Sequence, residues 1–191
     1  MQSEKSHKEK MIAGEMYLGN DPELLEDQRI VQTLVRDFNK SKPKGASRRW
    51  DLLGQIFGKI GKDTVIRPPF HCDYGYNITM GERCYLNFGC VFLDCTNITL
   101  GDEVLLGPGV QVYTAAHPIE ATPRRQGWEF ALPVTIGSGV WIGGGTVLCP
   151  GVSIGENSVI GAGSVVTKNI PANVVAVGNP CRVIKELTPE K

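Results

Sequence analysis

The segment from residue 136 to residue 171, IGSGVWIGGGTVLCPGVSIGENSVIGAGSVVTKNIP, carries the pattern that decides the fold. An aliphatic side chain returns in it at every sixth position, at Ile136, Ile142, Leu148, Ile154, Ile160 and Val166. A period of six matches neither an α-helix, with about 3.6 residues per turn, nor the plain alternation of a β-strand. It indicates a coiled parallel sheet in which each hexad forms a short strand and a corner, with the aliphatic side chain inside. Since three hexads close one triangular coil, the segment predicts two full coils.

Small residues accompany these aliphatic positions. Glycine follows directly in four of the six hexads, at Gly137, Gly143, Gly155 and Gly161. Small or branched residues come four places on, at Val140, Thr146, Val152, Ser158 and Ser164. A glycine beside the inward side chain fits a corner at which a Cβ atom would crowd a neighbour or force a strained φ angle. The pattern therefore predicts a mainly β fold, a parallel β-helix built from hexapeptide repeats.

The same period appears less regularly upstream. Two further sets of apolar residues are spaced by six, namely Met80, Leu86 and Phe92, and then Leu100, Leu106 and Val112. The step between the two sets is eight, so two extra residues must bulge out near 94–97. Residues 117–133 do not follow the period and contain prolines, arginines and a tryptophan. A long irregular segment that leaves a rigid scaffold is usually functional or disordered, so we predict an excursion loop near 117–133.

Residues 1–60 follow a helical pattern instead and predict a small N-terminal helical cap. Apolar residues between Met11 and Leu18 suggest a short helix that ends near Gly19. Asp21 and Pro22 then read as the N-cap and first residue of a second helix, and a third helix is expected over roughly 48–57. We expect these helices to cover the open lower end of the coil, which otherwise exposes unpaired strand edges. The β-helix, its excursion loop and a C-terminal tail then occupy residues 61–191.

Composition narrows the class of protein. In this 191-residue chain, 20 Lys and Arg residues balance 20 Asp and Glu residues, which argues against nucleic acid or a membrane surface as the main partner. The charged start MQSEKSHKEK predicts no signal peptide, and no run approaches the ~20 apolar residues of a membrane span. Six cysteines without a CxxC pair predict reduced thiols in a cytoplasmic protein, several of them filling the coil interior.

Histidine is the natural general base near neutral pH, and the chain has three. His7 lies in a polar terminal stretch, and His71 lies close to the first coil. His117 lies where the regular coil stops and the excursion loop begins, which makes it the strongest candidate for a catalytic base. A zinc site would need about three converging ligands, which two distant histidines and scattered thiols do not supply, so no metal is expected.

Seven stretches carry a resemblance to a known family. They are IAGEMY (12–17), FHCDYGYNI (70–78), NFGCVFLD (87–94), YTAAHPI (113–119), residues 133–155, GAGSVVTK (161–168) and VGNPCRVIK (177–185). From about Lys10 to Leu187 the chain resembles the maltose and galactoside O-acetyltransferase family of hexapeptide-repeat acyltransferases, most of all its maltose members. WIGGG and GAGS mark only the superfamily, whereas YTAAHPI together with DYGYN is much more specific.

The resemblance implies a left-handed parallel β-helix and a homotrimer with its active sites in the clefts between subunits. It implies acetyl-CoA as co-substrate and a small sugar, of the maltose or glucoside type, as acceptor. His117 would be the general base that takes the proton of a sugar hydroxyl as this hydroxyl attacks the thioester directly. No acyl-enzyme is needed, because a thioester is already activated and both substrates can be held together.

For the acceptor, the resemblance assigns Asp73, Asn87 and Asp94. Asn87 could instead be a corner residue with a positive φ angle or stack between coils, and Asp94 could simply cap a turn. In galactoside members the bulge tends to carry two adjacent acids. Here the second position is Cys95, which argues against a galactoside acceptor.

For the cofactor, the resemblance assigns seven positions that line the pantetheine groove or bind the nucleotide: Trp141, Gly144, Ala162, Thr167, Lys168, Arg182 and Lys185. Small residues at Gly144 and Ala162 would let an extended pantetheine arm lie against the backbone, although small residues also fit tight corners. The three basic residues of this set would pair with the phosphates of coenzyme A, although exposed basic residues near a C-terminus are often just solvated.

Two other functions stay open at this point. One is a sister activity on the same scaffold, such as acyl transfer to serine, a drug or an amine; the DYGYN segment and the helical N-terminus argue against it. The other is a noncatalytic repeat protein used for assembly or binding. An intact His117 and a complete cofactor half argue against that function.

Overall fold

The computed structural model describes residues 4–42 and 46–188. Within these ranges the chain forms four helices, α1 (His7–Ile12), α2 (Pro22–Asn39), α3 (Ala46–Ile56) and α4 (Ala121–Arg125). The same ranges contain twenty strands: β1 (Tyr17–Leu18), β2 (Lys59–Ile60), β3 (Val65–Ile66), β4 (Phe70–Cys72), β5 (Ile78–Met80), β6 (Tyr85–Leu86), β7 (Cys90–Leu93), β8 (Ile98–Leu100), β9 (Leu105–Leu106), β10 (Gln111–Tyr113), β11 (Ala115–Ala116), β12 (Trp128–Ala131), β13 (Val134–Ile136), β14 (Trp141–Ile142), β15 (Val147–Leu148), β16 (Ser153–Ile154), β17 (Val159–Ile160), β18 (Val165–Val166), β19 (Val174–Val177) and β20 (Arg182–Glu186).

Three sheets form the walls of a parallel β-helix. In spatial order, sheet 1 is β16-β13-β8-β5-β2, sheet 2 is β20-β19-β17-β14-β9-β6-β3 and sheet 3 is β18-β15-β10-β7-β4. The chain visits sheets 1, 2 and 3 in turn, and β20 alone among these strands pairs antiparallel. In the upper coils Ile136 pairs with Ile154 and Trp141 with Val159, so one coil is three hexads long. The coil predicted for residues 136–171 is confirmed.

Insertions in the regular coil lie at its edges. In the lower coils Phe70 pairs with Cys90, two positions beyond the length of three hexads, so these coils hold extra residues. One two-residue bulge lies between β7 and β8, as predicted, and a second lies between β4 and β5. The second bulge was not predicted, because the apolar repeat is evident only from Met80 onward. Val112 pairs with Leu148, six hexads on, so the excursion loop doubles the length of one coil.

The structure of the corners confirms that glycine is needed after the inward residue of a hexad and shows the reason. A Cβ atom on Gly143 would lie 2.4 Å from the amide nitrogen of Ala162 in the next coil. Left-handed backbone comes two residues later in the hexad, at Gly145 (φ +68°) and Asn157 (φ 57°). Crowding against the next coil, and not the φ angle, therefore excludes a side chain at the glycine that follows the inward residue.

The predicted extent of the first helix is wrong. α1 ends at Ile12, Gly14 takes a φ angle of +74°, and the next apolar residues form the strand β1. Tyr17 of β1 pairs with Glu129 of β12, and β12 also pairs with β11. The apolar spacing misled because burial here comes from a strand that pairs with the excursion loop. The loop itself is ordered as α4 and β12.

The second and third helices close the lower end of the coil. The side chain of Asp21 accepts the backbone N–H of Glu23 at 3.0 Å, and α2 begins with proline, as predicted. α3 covers Ala46–Ile56, two residues earlier at its start than expected. The rings of Phe57 and Phe92 each lie 5.4 Å from the ring of Phe70, so one apolar core runs from the helices into the coil. The division of the chain at residue 60 stays a prediction.

Candidate functional site

The predicted site residues lie mainly on two edges of the triangular coil. We call the edge where the chain passes from sheet 3 to sheet 1 the acid edge; it carries Asp73, Asp94, Thr167, Lys168 and the excursion loop with His117. We call the edge where the chain passes from sheet 2 to sheet 3 the tryptophan edge; it carries Asn87, Gly144 and Ala162 next to Trp141. On both edges the predicted acceptor residues lie in lower coils and the predicted cofactor residues in upper coils.

His117 lies at the start of the excursion loop, one residue after β11. The backbone before it is held, because Ala116 pairs with Phe130 of β12. The imidazole is exposed and, with Met16 and Phe130 among its neighbours, lines a cavity of about 400 Å³. An exposed imidazole that follows a paired strand is accessible to a substrate while its main chain stays in place.

Asp73 lies on the bulge between β4 and β5 and is half-buried. Its Oδ2 atom accepts the thiol of Cys95 at 3.8 Å. Burial of its carboxyl group raises the pKa, the hydrogen bond from Cys95 lowers it and the charge of Glu129 raises it, and together they bring the pKa to about 6. Near neutral pH this carboxylate is mostly ionised, but it holds a proton far more readily than an exposed aspartate does.

Tyr17 and Glu129, two residues near Asp73, were not predicted from the sequence as part of the site. The Tyr17 hydroxyl donates to Oε2 of Glu129 at 2.7 Å, and burial raises the pKa of this tyrosine. Cys95 is buried beside them, and burial raises the pKa of its thiol to about 12. No spacing rule could have found this cluster, since Tyr17 reaches it only because β1 pairs with β12.

Asp94 lies on the bulge between β7 and β8 with none of its surface accessible. Its Oδ1 atom accepts the backbone N–H groups of Asp73 at 3.0 Å and Tyr74 at 2.9 Å. Burial raises the pKa of the Asp94 carboxyl, the hydrogen bond from the N–H of Tyr74 lowers it, and the charge of Asp73 raises it. The resulting pKa is about 7. The cap that the sequence left open as an alternative is present, and the assignment of Asp94 to the acceptor side stays a prediction.

Asn87 follows β6 on the tryptophan edge and is half-buried. Its side-chain Oδ1 accepts the backbone N–H of Phe88 at 2.9 Å. The left-handed residue of this corner is instead Gly89, with a φ angle of +74°. A positive φ angle therefore does not explain the asparagine, and its contact with an acceptor stays a prediction.

The predicted cofactor residues lie at the surface of the upper coils. Trp141 is 54% exposed, and it projects outward from sheet 2. Gly144 and Ala162 occupy the same corner position one coil apart, since their preceding strands pair. The remaining four of the set are exposed, with Thr167 and Lys168 after β18 on the acid edge and Arg182 and Lys185 on β20. One chain thus divides these seven residues between different faces.

His71 lies on β4 and points away from the coil interior. It lines a cavity of about 490 Å³ between α2 and sheet 3, which also touches Arg36, Lys40 and Asp73. The cavity has the volume of a small-molecule site and ends at the acid edge. In the described ranges 4–42 and 46–188, no group of three His, Cys, Asp or Glu side chains could hold a metal ion. Nor does any helix there have the length and apolar character needed to cross a membrane.

Comparison with known proteins identifies the family. A family model described as maltose acetyltransferase hexapeptide capping motif matches residues 10–61, and one described as bacterial transferase hexapeptide (six repeats) matches residues 133–168. The galactoside O-acetyltransferase of Escherichia coli (strain K12) is 42% identical over 179 residues, which cover 94% of this chain and 88% of that protein. The chain belongs to the maltose and galactoside O-acetyltransferase family.

Solved members of the family share the whole fold. A maltose O-acetyltransferase from Clostridium difficile 630 is 50% identical, with a TM-score of 0.95 over 97% of this chain and 99% of that chain. A galactoside acetyltransferase solved in complex with coenzyme A is 40% identical, with a TM-score of 0.93 over 97% of this chain and 92% of that chain. Membership of the family implies the left-handed winding of the β-helix and acetyl-CoA as the acetyl donor.

The raised pKa values on the acid edge predict that stability falls as the pH rises from about 4 to about 7. The unfolded chain loses these two protons near pH 4, whereas the folded chain keeps them to about pH 6 at Asp73 and about pH 7 at Asp94. The folded state therefore binds more protons in this window, and each rise in pH costs it stability. Asp94→Asn removes the larger shift and should flatten the fall.

Chemical denaturation at several pH values across this window measures the effect. Asp73→Asn is the matched control and should flatten only the lower part of the window, because its pKa is raised less. If the unfolding free energy of Asp94→Asn fell with pH as steeply as that of the wild type, the prediction would be contradicted, since Asp94 would then not titrate in this window.

Proposed function

We propose that the protein transfers the acetyl group of acetyl-CoA to a hydroxyl of a sugar of the maltose or glucoside type. The observation that carries this proposal is that His117, a candidate base, and Asp73, a candidate hydroxyl-binding acid, belong to the same edge of the coil. The cavity of about 490 Å³ that ends at Asp73 supports a small acceptor. The relatives named for maltose and galactoside acetyl transfer support the class of substrate.

In this proposal His117 is the general base. Its neutral imidazole takes the proton of the acceptor hydroxyl as the hydroxyl oxygen bonds to the thioester carbonyl carbon of acetyl-CoA. The C–S bond breaks, and the leaving thiolate takes the proton from the imidazolium, so a sugar ester and free coenzyme A result. Direct transfer is supported by the buried thiols of Cys90 and Cys95, because burial raises their pKa to about 11 and about 12, and thiols in this state are poor nucleophiles.

The acceptor is proposed to bind in the lower part of the cleft. Asp73 and Asn87 would accept hydrogen bonds from sugar hydroxyls, one from each edge. Asp94 belongs to the acceptor side through its bonds to the backbone N–H groups of Asp73 and Tyr74. The thiol at Cys95 donates to Asp73, which leaves this site with one acid fewer than a pair of adjacent carboxylates would provide.

Coenzyme A is proposed to bind along the upper coils. The exposed ring of Trp141 and the backbone at Gly144 and Ala162 would line the pantetheine arm, with Thr167 beside it. Three exposed basic residues, Lys168, Arg182 and Lys185, would meet the phosphates, for which charged hydrogen bonds are well suited.

We further propose a homotrimer in which the acid edge of one subunit faces the tryptophan edge of the next. Each edge alone carries part of the acceptor set and part of the cofactor set, so a complete site needs both. A head-to-tail contact of this kind closes into a ring when the rotation permits.

The polarity of the outward side chains supports this contact. Sheet 1 presents polar side chains, whereas sheet 2 presents mainly apolar ones. The outward residues are Lys59, Thr79, Thr99, Thr135 and Ser153 on sheet 1, and Val65, Tyr85, Leu105, Trp141, Val159 and Val175 on sheet 2. Three of the sheet 2 residues are 46%, 47% and 54% exposed, which favours a protein contact at this face.

A cytoplasmic location is part of the same proposal. All six cysteines are free, and five of them are buried. Reduced thiols in this number are typical of a reducing compartment, where acetyl-CoA is also available as a donor.

His117→Ala should lower kcat by roughly 10²–10⁴-fold, the usual contribution of a general base, with little change in the affinity for coenzyme A. Steady-state transfer from acetyl-CoA to a panel of maltose, glucosides and galactosides measures it. His7→Ala is the matched control, since this histidine belongs to α1 and has no assigned part in the acceptor or cofactor site. Turnover of His117→Ala within a few-fold of wild type would remove the imidazole from this role, and transfer to no sugar would contradict the acceptor class.

Mixed trimers test the shared site. Chains carrying His117→Ala have a damaged acid edge, and chains carrying Asn87→Ala with Trp141→Ala have a damaged tryptophan edge. If each site uses two subunits, co-refolding the two should restore about a quarter of the sites, because some clefts combine the two intact edges. Co-refolding His117→Ala with Asp73→Asn, which damages the acid edge in every chain, should restore none. No recovery in the first mixture would show that one chain supplies a whole site.

Replacing Lys168, Arg182 or Lys185 with alanine should raise the KM for acetyl-CoA about tenfold or somewhat more, since a charged hydrogen bond is worth about 1.5–3 kcal/mol. The KM for the sugar should barely move. Acetyl-pantetheine lacks the nucleotide and should be used equally by variant and wild type. Lys59→Ala, on the outward face of sheet 1, is the control. Equal losses with both donors would mean that the basic residues hold the fold and do not bind phosphate.

A further inference from the structure

Asp94 is bound to both ends of the bulge that carries Asp73. Its side-chain Oδ1 atom accepts the N–H groups of Asp73 and Tyr74, at the start of the bulge between β4 and β5. Its main-chain oxygen accepts the side-chain amide of Asn77 at 2.7 Å, at the end of the same bulge. One residue of the coil above therefore fixes the first and last residues of the segment 73–77.

The other carboxyl oxygen of Asp94 is not available to an acceptor. The residue has no accessible surface, so no ligand touches it unless the bulge opens. Among the described residues, Oδ2 of Asp94 has no hydrogen-bond partner. A buried carboxylate with one unpartnered oxygen is costly, whereas a neutral carboxyl group keeps its carbonyl oxygen for the two N–H groups. The charge of Asp73 raises the pKa of Asp94, and the charge of Asp94 in turn raises the pKa values of Cys72, Cys95 and Tyr76.

We propose that Asp94 is a positioning residue for the acceptor site, which acts through Asp73 and does not contact the sugar. Its Oδ1 atom holds the N–H groups of the bulge, and this sets the direction in which the Asp73 carboxylate leaves the acid edge. The role needs a hydrogen-bond acceptor at the Oδ1 position and needs neither a charge nor a free Oδ2 atom. The inference rests on the proposed function in one respect, that Asp73 binds the acceptor.

Two variants separate positioning from contact. Asp94→Ala removes the acceptor of both N–H bonds, so the KM for the sugar should rise tenfold or more while the KM for acetyl-CoA stays within about twofold. Asp94→Asn keeps an oxygen at the Oδ1 position and should recover most of that loss, with a sugar KM at least fivefold below that of Asp94→Ala. A residue that binds the sugar through its charge would lose as much in Asp94→Asn as in Asp94→Ala. An equal loss in the two variants overturns the proposal.

Amide hydrogen exchange gives a readout that does not depend on activity. In the wild-type protein the N–H groups of Asp73 and Tyr74 should exchange slowly. Asp94→Ala should speed their exchange at least tenfold, whereas Asp94→Asn should keep most of the protection. Exchange at Val147 and Val165, in the upper coils of sheet 3, should not change and reports that the fold is intact. Unchanged exchange at the bulge in Asp94→Ala overturns the proposal.

Asp73→Asn separates this inference from the proposed function. If Asp73 binds the acceptor, this variant raises the sugar KM with little change in amide exchange, because its backbone bonds to Asp94 remain. If the sugar KM is unaffected, the assignment of Asp73 as an acceptor residue fails. A loss of sugar affinity in Asp94→Ala beside an unaffected Asp73→Asn would then overturn positioning through Asp73 as well.

Discussion

Backbone hydrogen bonding between successive coils is the interaction on which the rest of the structure depends. In each sheet a strand pairs with the strands one coil above and below, and in the upper coils the chain returns to the same sheet after three hexads. The stacking is so close that a Cβ atom at Gly143 would lie 2.4 Å from the backbone of the next coil. A slip of one residue would break the pairing in three sheets at once and turn every inward side chain outward. The strand pairing therefore holds each residue at an edge of the coil at a defined level along the coil axis.

The polar residues of the acid edge lie where the period of six is interrupted. In a regular hexad each position serves the interior, the corner or the outward face of a strand, which leaves little room for a site. Asp73 and Asp94 lie on two-residue bulges, and His117 begins an insertion as long as a whole coil. Such insertions leave at an edge and return to it, so the strand pairing above and below is kept. This arrangement places variable, polar segments on a rigid support, as loops on other scaffolds do.

The buried acidic groups of the acid edge lower the stability of the fold, and hydrogen bonds hold them in a defined geometry. Asp73, Asp94 and Glu129 bring three acidic groups close to each other, with Tyr17 and Cys95 as buried donors. Burial raises the pKa of the two aspartates, so their ionised forms oppose folding. The hydrogen bonds from the bulge to Asp94 and from Tyr17 to Glu129 lock the side chains in one arrangement. Strained or destabilised groups of this kind are common at functional sites, where the surrounding fold keeps them in place.

Sequence alone determined the coil, because a period of six is local: each hexad places its own aliphatic residue inward, and most place a glycine at the following corner. The motif around His117 and the N-cap at Asp21 could be read for the same reason. Only the tertiary structure decided which residues surround Asp73. Tyr17 bonds to Glu129 across 112 positions of the chain, and it does so from a strand that the apolar spacing had predicted as helix. No local pattern records such a pairing, since its energy depends on partners that lie far apart in the sequence and meet only in the folded structure.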